Sequence, residues 1–101
     1  METLTFDYYL LWKEKDRTPP PVNVIIEAAT MDQTQAVIWD RRTESWNFRP
    51  DVAVAILWVN REDHEVQLVD RATAEAAAPN FTTVPLPTEA ELTEICREGS
   101  R

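Results

Sequence analysis

Glycine is nearly missing from this chain: among 101 residues there is only Gly99. Loops that cradle phosphate need glycine, because only a residue without Cβ lets backbone N–H groups close in on the ligand. No Walker-type phosphate loop, dinucleotide fingerprint or nucleophile elbow can therefore be written in this sequence. The same scarcity passes left-handed turn positions to other residues, for which Asn23, Asn47, Asn60 and Asn80 are the expected choices.

Cysteine and histidine are as scarce. One cysteine, Cys96, rules out an internal disulfide and any multi-cysteine zinc site. Beside Ile95 on a predicted helix, it reads as a small buried hydrophobe rather than a reactive thiol. The only histidine, His64, lies in Arg61-Glu-Asp-His-Glu65. Adjacent residues in a loop rarely converge on one ion, and no second histidine completes a transition-metal site. As a general base His64 has no recognisable serine or cysteine partner in sequence. The segment reads as a solvated turn, and neither metal nor cofactor is expected. Carboxylates recur as Asp40 with Glu44, and as Glu89, Glu91 and Glu94, but any solvated helix face shows such spacing, and no catalytic motif emerges.

Long apolar runs are absent too. The longest, Val52 to Val59, has eight residues, far short of a membrane span. Met1 to Asp7 lacks the basic start of a signal peptide. These features predict a cytoplasmic chain without membrane contact. Positive charge is outnumbered, with 10 Lys and Arg against 18 Asp and Glu, a net charge of −8. Such a surface repels phosphate backbones, so no nucleic-acid partner is expected, while it favours solubility and can steer a basic protein. The imbalance is uneven, net −2 over residues 1–50 and −6 over residues 51–101.

What is present is an ordinary globular balance, 44% hydrophobic and 28% charged, with four tryptophans. A chain of this length suits a single globular domain over residues 1–101. Leu4 to Trp12 favours a strand with Phe6, Tyr8, Leu10 and Trp12 on one face. Thr18 and three prolines then form a surface connection, and Val22 to Ala28 begins a second strand whose end is ambiguous with a helical turn over Ala28 to Thr34. Ala36–Asp40 and Ser45–Phe48 make the clearest hairpin. A four-residue loop pairs Asp40 with Ser45, Trp39 with Trp46 and Val37 with Phe48. Pro50 and Asp51 at a first helical turn favour a helix over 50–58, although the β-branched residues that follow also suit a buried strand. Val66 to Val69 reads as a short strand. Asp70 caps a helix over 71–78, and Thr88 with Glu91 forms a capping box for a helix to about Glu98, with Gly99 as its C-terminal cap and Leu92, Ile95 and Cys96 as its buried stripe. Phe81, Val84 and Leu86 are expected to anchor the intervening segment. The class is α+β: a small antiparallel or mixed sheet of about four strands with two to three helices on one face. Trp39 and Trp46 are expected at the centre of the core, with Trp12 and Trp58 packed nearby.

Arginines and aromatics interleave over residues 39–49, a composition found at protein contact sites. The aromatics fit the buried face of the hairpin, which leaves its tip as a contact loop. The candidate contact residues are Asp40, Arg41, Arg42, Glu44 and Arg49, together with Glu62, Asp63 and Glu65 of the acidic turn. The expected function is that of a non-catalytic protein-binding module, an acidic inhibitor or immunity-type protein that neutralises a basic protein partner. Two alternatives stand beside it. One is a self-associating structural or adaptor subunit using an open sheet edge. The other is a binder of small anionic ligands, or an enzyme without a recognisable motif, using Arg41, Arg42 or Arg49.

Overall fold

A computed structural model of the chain describes residues 3–13, 15–29 and 34–100. Alternating apolar residues build five strands: β1 (Asp7–Trp12), β2 (Asn23–Ala29), β3 (Thr34–Asp40), β4 (Ser45–Phe48) and β5 (Glu65–Val69). They form one antiparallel sheet in the order β4-β3-β2-β1-β5. The fold class is α+β as expected, with five strands where about four were anticipated. Of the suggested helical turn over Ala28 to Thr34, Ala28 and Ala29 belong to strand β2 and Thr34 begins β3, while residues 30–33 lie outside the described residues. The β3–β4 hairpin has the expected register, Asp40 opposite Ser45, Trp39 opposite Trp46 and Val37 opposite Phe48.

The chain then enters helix α1 (Pro50–Val54), which widens into a π-helical stretch over Ala55–Val59. Pro50 occupies the first turn with Asp51 beside it, where a missing N–H is harmless and an acid favours the helix dipole. The wider turn is closed by Asn60 N–H, which donates to Ala55 O at 2.7 Å. A short 3-10 turn over Arg61–Asp63 delivers the chain to β5. Helix α2 (Arg71–Ala77) starts at Asp70, whose Oδ1 accepts the Thr73 N–H at 2.8 Å. Helix α3 (Glu89–Gly99) opens on a reciprocal box. Glu91 N–H donates to Thr88 Oγ1 at 3.1 Å, and Thr88 N–H to Glu91 Oε1 at 2.8 Å.

The helices cover both faces of the sheet, not one. On one face Tyr8, Leu10, Val24, Ile26, Val37, Trp39 and Trp46 pack under Ala74 and Ala78, Leu86, and Leu92 and Cys96 of α3. On the other, Ile25, Ala36, Ile38 and Val66 pack under Ala53, Ile56 and Leu57 of the crossover. Strand β2 is therefore buried on both sides, with Val24, Ile25 and Ile26 fully inaccessible. The Trp39 and Trp46 rings meet edge to face, with centroids 5.4 Å apart, and both are buried. Trp12 packs against the same cluster. Trp58 does not: it is 63% exposed, so only three of the four indoles join that layer.

A polar strap fastens the larger layer. Arg71 Nη1 donates to the Tyr8 hydroxyl at 2.8 Å, that hydroxyl donates to Glu89 Oε2 at 3.2 Å, and Arg71 Nη2 donates to Pro87 O at 2.8 Å. The guanidinium also lies over the Tyr8 ring, 5.6 Å from its centroid. One cluster thus links β1 to α2, to the segment before α3 and to α3 itself. Of the expected anchors of that segment, Phe81 and Leu86 pack against the core and Val84 is exposed.

Two turn assignments are corrected. Positive φ falls on Arg17 and Glu44, not on the asparagines; Asn60, for instance, has φ −109°. Gly99 is the last residue of α3 rather than a left-handed cap, and Ser100, in right-handed conformation, follows it. Its lack of a side chain serves close approach. A Cβ there would meet Phe48 Cβ at 2.8 Å and two ring carbons more closely still. Alanine normally favours a helix over glycine by about 1 kcal/mol. Here Gly99→Ala should do the reverse and destabilise by about 1 kcal/mol through overpacking. Urea denaturation should show the loss, and the double variant with Phe48→Ala should show less than the sum of the two single losses.

Candidate functional site

The antiparallel hairpin places Arg41, Arg42, Thr43 and Glu44 in an exposed tip. Its geometry is held by Asp40, whose Oδ1 accepts the Arg42 N–H at 2.9 Å and whose Oδ2 accepts Asn47 Nδ2 at 3.1 Å. These bonds hold the Asp40 carboxyl below its ordinary value, so it stays ionised as a turn-forming group. Glu44 sits at φ 53°, a conformation that costs a non-glycine residue about 1 kcal/mol or more.

Beside the tip runs a groove of about 550 Å³. Trp39 and Phe81 line it together with Arg41, Glu44, Thr82 and Thr83. Arg41 makes no ion pair among the described residues. Chemically, such a groove offers an aromatic wall, hydroxyls and one cation.

The expected contact residues do not form a single surface. Arg49 leaves the tip altogether. It lies beyond the far end of β4, its N–H bonded to Ala36 O at 2.9 Å and its guanidinium paired two-fold with Asp51 at 3.1 and 3.0 Å. Glu65 is paired with Arg17 of the β1–β2 connection. Glu62 is exposed, and the Asp63 side chain lies outside the described residues. The acidic turn and the hairpin tip lie by opposite edges of the sheet, β5 and β4. Four strand spacings separate those edges, about 19 Å.

A second region, on the α1 side of the sheet, was not anticipated. Buried Ala53, Ile56 and Leu57 follow helical spacing, and Trp58 and Val59 fall off that stripe into solvent, 63% and 72% exposed. By strand alternation Leu68 of β5 faces the same side beside its cross-strand neighbour Tyr9, and it is 62% exposed. Helical periodicity applied to residues 50–59 would have marked Trp58. Under the indole lies Glu27, on the same face of β2 as Ile25 and only 4% exposed. The donor it receives is Trp58 Nε1, at 3.4 Å, a long bond. Asp7 stands directly opposite Glu27 in the β1–β2 register. Burial, with a smaller push from Asp7, raises the Glu27 carboxyl above its ordinary value, against the lowering effect of the Trp58 bond. The signal in sequence was a lone carboxylate inside the apolar run of β2.

Other candidate chemistry is muted. Burial pushes the Cys96 thiol up to about 11, which removes thiolate at neutral pH. Among the described residues no group of three or more His, Cys, Asp or Glu side chains is placed to hold a metal ion, and no helix is long and apolar enough to cross a membrane. Comparison of the chain with protein-family models, curated proteins and solved structures finds no match. The site is therefore read from its own chemistry.

Two outcomes are expected here. Glu44→Gly should stabilise the protein by about 0.5–1 kcal/mol in urea denaturation, because glycine adopts the left-handed tip without strain. Glu27 has a folded-state pKa raised above its ordinary value of 4.5. The stability linked to that group is fully present below the unfolded value and is lost as pH rises through the folded one. Glu27→Gln should accordingly raise the melting temperature at pH 7, and the gain should shrink as the pH is lowered toward 4.

Proposed function

We propose that this protein is a non-catalytic protein-binding module of the inhibitor or immunity type, which neutralises a basic protein partner. The observation that carries this reading is the exposure of Trp58, Val59 and Leu68 on one side of the sheet of a chain with net charge −8. Large apolar groups grouped on a surface and rimmed by charge are the usual anatomy of a protein contact. Two exposed acids accompany these groups, Asp7 opposite Glu27 in the register and Glu62 three residues beyond Val59. Acids at a rim mainly accelerate encounter with a cationic partner, while the aromatic group slows its departure.

Self-association through the β5 edge would bury Leu68 as well, but it brings together two copies of net charge −8. The groove beside Arg41 supports the small anionic ligand less well, because Glu44 lines it together with the one cation.

Affinity capture from native lysate tests the proposal. A basic protein should be retained by the wild-type chain and released as salt is raised, and Trp58→Ser should retain at least about tenfold less, the loss typical of a buried aromatic contact. Capture of no basic protein, or equal capture by Trp58→Ser, overturns it.

A further inference from the structure

A buried carboxylate on a sheet face normally has a strong partner within the fold, because burial without one is costly. Among the described residues Glu27 has no charged partner, only the indole of Trp58. It is almost inaccessible, its bond from Trp58 Nε1 is 3.4 Å long, and its directly opposed neighbour is a second carboxylate, Asp7. Like charges placed opposite one another on a sheet repel. Among the described residues Arg61 is the cation that bears on neighbouring Tyr9, and it forms no ion pair with Asp7 or Glu27. The fold thus keeps two acids together beside Trp58, which is 63% exposed, and among the described residues no ion pair balances either acid.

We propose that Trp58, Glu27 and Asp7 form a socket for a single arginine side chain of the basic partner. The inference rests on the protein-binding reading above and specifies which chemistry the contact recognises. Three features favour a guanidinium. A planar cation stacks on an indole face, its N–H groups fork toward carboxylate oxygens, and it gives up hydration more readily than an ammonium. Tyr9, half-buried on the same face between its cross-strand neighbours Ile25 and Leu68, continues the apolar floor for the aliphatic stem of that side chain. The π-helical turn carries the socket's wall. Without the widening at Ala55–Val59, Trp58 would occupy a different angular position relative to the buried stripe. The repulsion between Asp7 and Glu27, unfavourable in the free protein, becomes attraction for the incoming charge.

The test is an NMR titration of the full chain with N-acetyl-arginine amide, following the Trp58 indole N–H, which is identified by its disappearance in Trp58→Phe. The resonance should shift saturably, with the weak affinity of a single side chain, whereas N-acetyl-norleucine amide should leave it in place. Glu27→Gln and Asp7→Asn should each weaken the interaction by about tenfold, the order expected for loss of one charge-assisted contact. Asp7 is exposed, so Asp7→Asn does not threaten the fold, and a dispersed amide spectrum checks Glu27→Gln. No saturable shift in the wild-type chain, or equal binding by both folded variants, overturns the socket. Its failure is separable from failure of the function. A basic protein captured equally by wild type, Glu27→Gln and Asp7→Asn leaves the binding module standing and removes the socket. Glu27-dependent arginine binding without any captured basic protein keeps the socket and removes the neutralising role.

Discussion

The connection from β4 to β5 is the constraint on which the rest of the structure depends. Three hairpin connections lay down four strands side by side, and the fifth must then be carried to the far edge, next to β1. The carrier is the helical stretch 50–59, whose ten residues span about 15 Å at α-helical rise, somewhat less than the roughly 19 Å between the outer strands. The stretch must also cover the sheet, because β2 has apolar side chains on both faces. One short helix can cover only the middle. Ala53, Ile56 and Leu57 do so, and the residues that complete the crossing, Trp58 and Val59, run past the covered area. The exposed surface is thus a by-product of topology that chemistry can then use.

The opposite face has no such shortage. Two helices and the segment between them close over the Trp39–Trp46 pair, and the strap through Arg71, Tyr8 and Glu89 ties the late elements to the first strand. The two faces therefore divide the work. The α2–α3 side holds most of the large buried side chains, while the α1 side combines a smaller apolar layer with a buried carboxylate and open aromatic surface. Loss of a contact on the first should appear chiefly as lost stability, since deletion of buried groups leaves a cavity. Exposed groups on the second bear little of the fold's free energy, which frees them to differ without unfolding the chain.

What could be read from sequence follows the range of the forces involved. The β3–β4 hairpin is set by a four-residue loop and by neighbours a few positions apart, so its register, down to Trp39 against Trp46, was legible. The caps at Asp70 and Thr88 are local for the same reason. The side of the sheet that each helix covers depends on where β5 pairs, a contact more than fifty residues from β1, and nothing local encodes it. Gly99 illustrates the limit at a single position. Its place at a helix end suggested a turn conformation, whereas its real requirement is the approach of Phe48 from another element. Glu44 shows the converse, since the fourth position of the hairpin loop needs positive φ whatever residue type occupies it.

The buried carboxylate is the point where local preference and global fold disagree. A strand inserted between two apolar layers would be more stable with a neutral side chain at position 27, and burial already weakens the ionised form there. Sequences that break a local rule in an otherwise consistent fold tend to do so at functional positions, where the cost is offset by what binds. Glu27 breaks such a rule on geometry alone: it is nearly inaccessible, opposed by Asp7, and reached by a long bond from an indole of a residue that is itself mostly in solvent. The acidity most visible in the sequence lies in the late half of the chain, on groups that are solvated or, like Glu94 with Arg97, already paired. Solvated charges of that kind steer a partner but add little hold. An acid shielded from water and beside an open aromatic ring has the opposite balance, so recognition of a basic partner would rest on Glu27 more than on the acidic residues that give the protein its net charge.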